Sequence, residues 1–347
     1  MDHTRISVCV PCYERPQMLA QLIESFCKQS YPYKELIVVD DSLSDAVQTT
    51  VARYVGLNIV YHKNLENLGY ARNFRKSIEC ATGAVVLMLG DDDALLSEHA
   101  LARYVEVFDG HPEVGYVYSN QVQFNNQLRV EYLVRPFEVD ALLAAGDEAF
   151  ERIWTTAIFI PGMALRNVPG LLTYYPTEHM LFPQLELVGH IIAQHDAYGI
   201  ADLLIAGRAH EQQLGFYAIR GERIKGAERH GTVELREIFT GLAARYPLTL
   251  GTEFLTRDLV ARFAVTLFKE RLVVGKRLMR ENYRNFCAGT PAAASSTRLR
   301  AAFLLASWLP PAVIRVARLA AVATVRLSKR ADFAAAQRQL RVSVHAG

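Results

Sequence analysis

Residues 85–93, VVLMLGDDD, join a short apolar run directly to three consecutive aspartates. Five Val, Leu and Met residues are too few for a helix and predict a buried strand that ends at the glycine. Three adjacent carboxylates repel one another and lose hydration at a strand end unless a positive group lies between them. A divalent cation is one such group, because Mg²⁺ and Mn²⁺ prefer oxygen ligands. The alternative is a solvated acidic turn that caps the next helix.

Strands and helices are predicted to alternate over the first 120 residues. Predicted strands lie at 6–10, 35–39, 57–61, 85–89 and 114–119, and predicted helices at 16–28, 44–55, 70–81 and 97–108. The strands are continuously apolar, which is typical of parallel strands covered by helices on both faces. We therefore expect an α/β fold with a mostly parallel sheet and a mainly helical C-terminal region.

Polar clusters follow three of these predicted strands: residues 13–15 (YER), residues 40–41 (DD) and the aspartates at 91–93. Ligands of open α/β sheets bind at the carboxyl ends of strands. Three strand ends that each carry such residues favour a nucleotide-plus-metal site over chance turn composition.

The pattern is weaker after residue 120. It predicts a hairpin within 122–134, a helix at 140–154, a strand at 159–162 that runs into a loop, a helix from 177, a last strand at 198–205, mostly helix over 232–284 and a small-residue linker at 288–297. We expect a nucleotide-sugar-binding and catalytic domain at 1–215, a helical extension at 216–297 and a basic tail at 298–347.

The tail carries nine Lys or Arg residues from Arg298 onward against one acid, Asp332, although the whole chain has a net charge of only +2. On a helical wheel its basic residues occupy one side of a helix that follows the Pro310–Pro311 pair. Such a helix suits an anionic membrane surface, and the alternative is a core-packing helix with a solvated basic edge. Aromatic interleaving is absent, so nucleic acid is not an expected partner.

Five scattered cysteines predict a reducing compartment. Cys9 and Cys12 are expected to be small core residues rather than a redox pair, since they end a strand. The polar N-terminal residues predict no signal peptide, and no apolar run reaches the ~20 residues of a spanning helix.

The segments at 6–45 and 64–93 together are similar to the opening of the family 2 glycosyltransferases, in motif order and in spacing. This resemblance implies the glycosyltransferase A-type fold and a nucleotide diphosphate-sugar donor, with Mn²⁺ or Mg²⁺ as cofactor. Residues that match the family's nucleotide-sugar contacts are Pro11, Tyr13, Glu14, Asp40, Asn67, Gly69, Arg72, Asn73, Asp91 and Asp92. The matching metal ligands are Asp93 and Asp91, with His210 after a late strand; at position 14 the family more often has Asn.

Inverting transfer needs a general base near the acceptor hydroxyl. The family supplies it from a Glu-Asp pair at a helix start, where this chain has Thr177, Glu178 and His179. Glu178 is therefore the first candidate and Glu186 the second, while His179 is a candidate acceptor contact. The turn at Gly162 is a further candidate for backbone approach to the acceptor or the sugar.

The lead hypothesis is a metal-dependent inverting glycosyltransferase that acts on a glycan or polyprenyl-linked acceptor, in cell-surface polysaccharide or O-antigen synthesis. We expect it in the cytoplasm, peripheral on the inner face of a bacterial plasma membrane. One alternative is a nucleotidyltransferase, although the loop after the first strand lacks glycine. The other is a non-catalytic subunit that binds nucleotide-sugar or glycan.

Overall fold

The computed structural model describes residues 3–173, 175, 182–209, 231–251 and 253–344. The chain divides into two compact units. The first comprises Met1–Glu178, Pro183–Ala209 and Ala334–Gly347, and the second comprises His179–Phe182 and His210–Phe333.

The first unit contains ten described strands and six complete helices, and part of the last helix of the chain. The strands are β1 (Ile6–Cys12), β2 (Lys34–Asp40), β3 (Ile59–Lys63), β4 (Val85–Met88), β5 (Ala94–Leu95), β6 (Val114–Phe124), β7 (Val130–Val134), β8 (Ala141–Leu143), β9 (Met163–Arg166) and β10 (Asp196–Arg208). The helices are α1 (Pro16–Cys27), α2 (Ala46–Val51), α3 (Tyr70–Glu79), α4 (Ala100–Gly110), α5 (Asp147–Arg152) and α6 (Pro183–Ile192).

All described strands form one sheet with the order β3-β2-β1-β4-β9-β6-β10-β5, while β7 pairs with β6 and β8 pairs with β10. The strands β3, β2, β1 and β4 run parallel, as their apolar pattern predicts. Strand β9 lies antiparallel between β4 and β6, which makes the whole sheet mixed. The predicted α/β fold is confirmed.

Strands β1 and β4 are buried almost throughout, because helices cover both faces of the sheet. Leu19, Leu22 and Ile23 of α1 pack into the same core as Val8 and Leu87 of these strands. Burial of each such side chain contributes about 1.5–3 kcal/mol of transfer free energy. This core holds the carboxyl ends of the strands in fixed positions.

The expected helix at 140–154 is wrong. The segment forms β8, then α5, then a 3₁₀ turn at Trp154–Ile158. Gly146, with φ of 87°, separates strand from helix in a conformation that a continuous helix does not allow. The expected strand at 159–162 is likewise a turn, and the strand β9 starts only at Met163, after the left-handed Gly162.

The second unit is helical, as predicted from residue 232 onward. Its complete helices are α7 (Gly231–Arg245), α8 (Glu253–Val273), α9 (Gly275–Gly289), α10 (Thr297–Trp308) and α11 (Pro311–Ser328). Most of the predicted linker forms structure, since α9 continues to Gly289 and a 3₁₀ turn occupies Pro291–Ser295. Ser296 caps α10 by accepting a hydrogen bond from the Leu299 amide at 3.2 Å.

The final helix, α12 (Arg330–Val344), starts in the second unit, and its residues from Ala334 onward belong to the first. The Gln337 side chain bonds to Val130 and Leu128 at the β6–β7 turn, and the Ser343 hydroxyl donates to the Leu96 carbonyl at 2.7 Å. The predicted basic tail at 298–347 is therefore not one structural segment. Among the described residues, no helix has both the length and the apolar composition that membrane crossing requires.

Candidate nucleotide-sugar site

The ends of β1, β2 and β4 meet at one edge of the sheet. Cys12 pairs with Asp40 in register, and the Asp41 amide donates to the Cys12 carbonyl at 2.9 Å. The Tyr13 amide donates to Asp91 Oδ2 at 2.9 Å, which joins the loop after β1 to the acidic residues after β4. The three polar clusters that the sequence places after strands thus lie together.

Glu14 fastens the β1 loop to the loop after β2. Its carboxylate accepts hydrogen bonds from the amides of Leu43 and Ser44 and from the Ser44 hydroxyl, at 2.8–3.2 Å. The bonds from Ser44 lower the pKa of Glu14. Glu14 holds this position with φ of 54°, a left-handed conformation that is uncommon outside glycine. Its carboxylate is therefore engaged within the protein, whereas Tyr13 is exposed and Pro11 half-buried.

Asp40 is completely buried, and its carboxylate is held by the Ser42 amide, the Tyr61 hydroxyl and Lys63 Nζ, at 2.7–3.1 Å. Burial, together with the hydrogen bond to Asp40, raises the pKa of Tyr61. The carboxylate after β2 is thus fixed by residues of the neighbouring strand β3.

Asp41 organises the loop that precedes α3. Its two oxygens accept from the Leu68 and Gly69 amides at 2.7 and 2.8 Å, and from the Asn64 side chain at 2.9 Å. Asn67 Oδ1 also accepts from the Gly69 amide, and Gly69 takes φ of 77°. Sequence reasoning gave Asp41 no role beyond lying beside Asp40.

Asn73 and Arg72 lie in the first turn of α3 with different environments. Asn73 is buried, and its amide donates to the Val39 carbonyl at 3.1 Å, so it ties α3 to the end of β2. Arg72 is exposed. Of the two predicted contacts, Arg72 has the side chain available to a ligand and Asn73 supports the loop.

Asp91 and Asp93 are almost completely buried, and Asp92 is half-buried. Asp93 accepts from the Gly90 amide at 2.7 Å and from the Arg208 amide at 3.2 Å. Burial raises the pKa of Asp91 to about 6, against the opposing charge of Arg15. Burial and the charge of Asp92 raise the pKa of Asp93. The acidic cluster is therefore short of positive charge.

Two arginines that sequence reasoning did not select lie at this cluster. Arg15 pairs with Asp91 at 3.1 Å and with Asp92 at 2.6 Å. Arg208, at the end of β10, donates from Nε to the Asp92 carbonyl at 3.0 Å and stacks over the Phe124 ring. Arg15 was visible in the YER cluster, but Arg208 lies beyond the predicted end of its strand.

The structure describes only some of the candidate residues for the catalytic base, the acceptor contacts and the third metal ligand. Glu178, His179 and His210 lie outside the described residues. Glu186 is half-exposed in the first turn of α6, and its Oε1 lies 3.8 Å from His190 Nε2. The Gly162 carbonyl accepts from the Tyr104 hydroxyl at 2.9 Å, which gives this turn a role in the fold.

The carboxylates of Asp91 and Asp93 can supply part of the ligand set of a divalent cation. Within the described part of the chain, no group of three or more His, Cys, Asp or Glu side chains is arranged to hold a metal by itself. Asp91 and Asp93 nonetheless supply desolvated carboxylate oxygens in a cluster with excess negative charge. An ion at these oxygens needs further ligands, which a diphosphate provides.

The fold is that of the glycosyltransferase A class. The crystal structure of S. aureus TarS 1-349 in complex with UDP-GlcNAc has a TM-score of 0.58 at 17% identity, and covers 87% of this chain and 89% of that chain. Residues 7–171 match the model described as Glycosyl transferase family 2. This match agrees with the resemblance that the motifs at 6–45 and 64–93 predict.

Two curated relatives extend the comparison. Abequosyltransferase RfbV of Salmonella typhimurium is 31% identical over 98 residues, which cover 27% of this chain and 29% of that protein. The UDP-Glc:alpha-D-GlcNAc-diphosphoundecaprenol beta-1,3-glucosyltransferase WfgD of Escherichia coli is 24% identical over 139 residues, which cover 40% of this chain and 54% of that protein. The chain therefore covers about a third and about half of the lengths of these relatives.

Proposed function

We propose that the protein transfers a sugar from a nucleotide diphosphate-sugar to a hydroxyl of a glycan acceptor in cell-surface polysaccharide or O-antigen synthesis. The observation that carries this proposal is the joining of three strand-end loops around Asp91 and Asp93. The relatives support it by their names: one is an abequosyltransferase, and the other uses UDP-Glc and a diphosphoundecaprenol-linked acceptor.

We assign Asp93 and Asp91, with His210, to a Mn²⁺ or Mg²⁺ ion. When bound, the ion neutralises the charge of the departing nucleoside diphosphate. The chain's own groups prepare the site. The amides of Gly90 and Arg208 fix the two oxygens of Asp93, and the Tyr13 amide fixes one oxygen of Asp91. Carboxylates held in this way need little reorganisation during the reaction.

The transfer is proposed to invert the anomeric centre in one displacement. Glu178 accepts the proton of the acceptor hydroxyl, and Glu186 is the second candidate for this role. A carboxylate base within hydrogen-bond reach of that hydroxyl makes the oxygen a better nucleophile as the sugar departs from the diphosphate.

We also propose that helix α11 attaches the protein to the inner face of an anionic plasma membrane, where a lipid-linked acceptor lies. The helix buries only Ile314 of its 18 residues. Val316, Leu319 and Leu327 share one face and are each about two-thirds exposed or more. Arg315 and Arg326 lie on the adjoining face and are also exposed. Apolar burial and attraction to anionic lipid act together in such helices.

The test is a thermal-shift and nucleotide-release panel with UDP-, GDP-, dTDP- and CDP-sugars, each with and without Mn²⁺. One nucleotide should raise the melting temperature in a Mn²⁺-dependent manner and be released when acceptor is added. Asp93→Asn should remove the Mn²⁺-dependent shift in melting temperature. It should also slow nucleotide release about 100-fold or more, because the amide lacks the negative charge that is proposed to hold the metal ion.

Asp109→Asn is the matched control, since Asp109 is an exposed acid that accepts a hydrogen bond from Thr4. It should behave as the wild type does. Unchanged turnover in Asp93→Asn would refute the assignment. Binding of a nucleotide-sugar without any release would instead favour the non-catalytic binding subunit.

A further inference from the structure

Arg15 is the half-exposed cation of the acidic cluster. It follows the strained Glu14 and lies at the N-terminal cap position of α1. A single nitrogen, Nη1, lies 3.1 Å from Asp91 Oδ1 and 2.6 Å from Asp92 Oδ2, so one guanidinium bridges two carboxylates of the cluster. Its side chain is 42% exposed, whereas that of Asp91 is 4% exposed.

The second arginine of the cluster is held differently. The Arg208 guanidinium bonds to the Asp92 carbonyl and to Gln21 Oε1 at 2.5 Å, and it packs over the Phe124 ring at 4.4 Å. Its residue exposure is only 8%. Arg208 is thus fixed on three sides, while Arg15, in the loop after β1, contacts the acids through one nitrogen and stays partly exposed.

We propose that Arg15 is an exchangeable counter-ion of the acidic cluster, which pairs with Asp91 and Asp92 before the donor binds and then transfers to the donor's diphosphate. This inference rests on the proposed function. A divalent ion at the carboxylates repels the guanidinium, and a diphosphate offers it oxygens that it binds in a bidentate manner. Arg15 is therefore expected to have two opposed effects on binding.

Arg15 is expected to lower the affinity for a bare divalent ion and to raise the affinity for a nucleoside diphosphate with that ion. Toward a bare divalent ion, Arg15 competes for Asp91, the carboxylate to which both cations are assigned. Toward the ion and a nucleoside diphosphate together, it contributes a charge-assisted contact to the phosphate oxygens. A residue that merely supports the loop would change both affinities in the same direction when it is replaced.

The experiment is calorimetric titration of the full chain with MnCl₂ alone, and then with UDP, GDP, dTDP and CDP in the presence of MnCl₂. Arg15→Gln should bind Mn²⁺ alone about tenfold more tightly than the wild type. It should bind the preferred nucleoside diphosphate with Mn²⁺ about tenfold more weakly. Arg15→Lys keeps the positive charge but not the bidentate geometry of the guanidinium, so both changes in affinity should be smaller.

Arg103→Gln is the matched control, because Arg103 pairs with Asp140 and Asp202 elsewhere in the first unit. It should leave both affinities unchanged. If both affinities fall in Arg15→Gln, or neither changes, the proposal is wrong. If the wild type binds none of the nucleotides, the proposed function fails, and Mn²⁺ binding alone still decides whether Arg15 competes with the ion for Asp91.

Discussion

Helices α1 and α11 are both amphipathic in sequence, and the structure uses them in opposite ways. Helix α1 has 12 residues and buries five of them against the sheet, including Leu22 and Phe26. Helix α11 has 18 residues and buries one, Ile314. Hydrophobic periodicity therefore predicts that a helix forms and which face is apolar, but the partner of that face depends on the rest of the fold.

Each unit contains a buried acid, and the surroundings of the two carboxylates differ. Asp93 of the first unit accepts two backbone hydrogen bonds within its own site. Glu270 of the second unit is completely buried in α8, and burial raises its pKa to about 7, against the effect of the Asn282 amide. The carboxylate of Asp93 is thus fixed by backbone amides, whereas burial of Glu270 predicts a pH-dependent contribution to stability.

The largest expected effect concerns the catalytic base. Glu178→Gln should lower turnover by roughly 10²–10⁴-fold, because the amide cannot accept the acceptor's proton. Nucleotide binding and vesicle binding should stay at wild-type levels. Steady-state release of the nucleoside diphosphate measures the effect, with Glu186→Gln assayed alongside. Full activity of Glu178→Gln together with loss in Glu186→Gln would assign the base to Glu186.

A smaller effect is expected at the membrane face. Leu319→Gln with Leu327→Gln should weaken binding to vesicles of anionic phospholipid at least tenfold, since each buried leucine contributes about 1.5–3 kcal/mol. The melting temperature should not change, because both side chains are exposed in the protein. Cosedimentation with vesicles measures the change.

Val55→Gln controls for the loss of an exposed apolar side chain, because Val55 is 89% exposed in the first unit. It should bind vesicles as the wild type does. Equal vesicle binding by the α11 variant and the wild type would show that another surface attaches the protein, or that none does.

The last expected effect is on the pH dependence of stability. A Glu270 pKa displaced from 4.5 to about 7 corresponds to about 3 kcal/mol. The folded protein then holds a proton that the unfolded chain has lost, so stability falls as the pH rises from about 4.5 to 7. Glu270→Gln should remove this decline and be more stable than the wild type at pH 8.

Urea unfolding monitored between pH 4.5 and 8 measures this difference. Glu79→Gln, at an exposed acid paired with Arg75, should keep the wild-type slope. An unchanged slope in Glu270→Gln would mean that Glu270 is accessible to water or is paired when the protein is in solution.

The sequence predicts best those elements that depend on the residues within them and directly beside them. Continuously apolar strands such as β1 and β2 indicate a sheet covered on both faces, and an acidic run after β4 marks the strand end. The segment from residue 140 to 166 was mispredicted, because β8 exists only through its pairing with β10, more than 50 residues away. Arg208 was missed for a related reason, since its neighbours Gln21 and Phe124 come from distant parts of the chain.

The contacts of α12 also change how shortened versions of the chain should be interpreted. Ser343 bonds to Leu96, three residues beyond Asp93, and Gln337 bonds to the β6–β7 turn. A protein cut before Pro311 loses these α12 contacts as well as the basic helix α11. Weak activity after such a cut could then result from a displaced loop at residues 91–96 and not from lost lipid attachment. Point substitutions on α11 therefore test lipid attachment more directly.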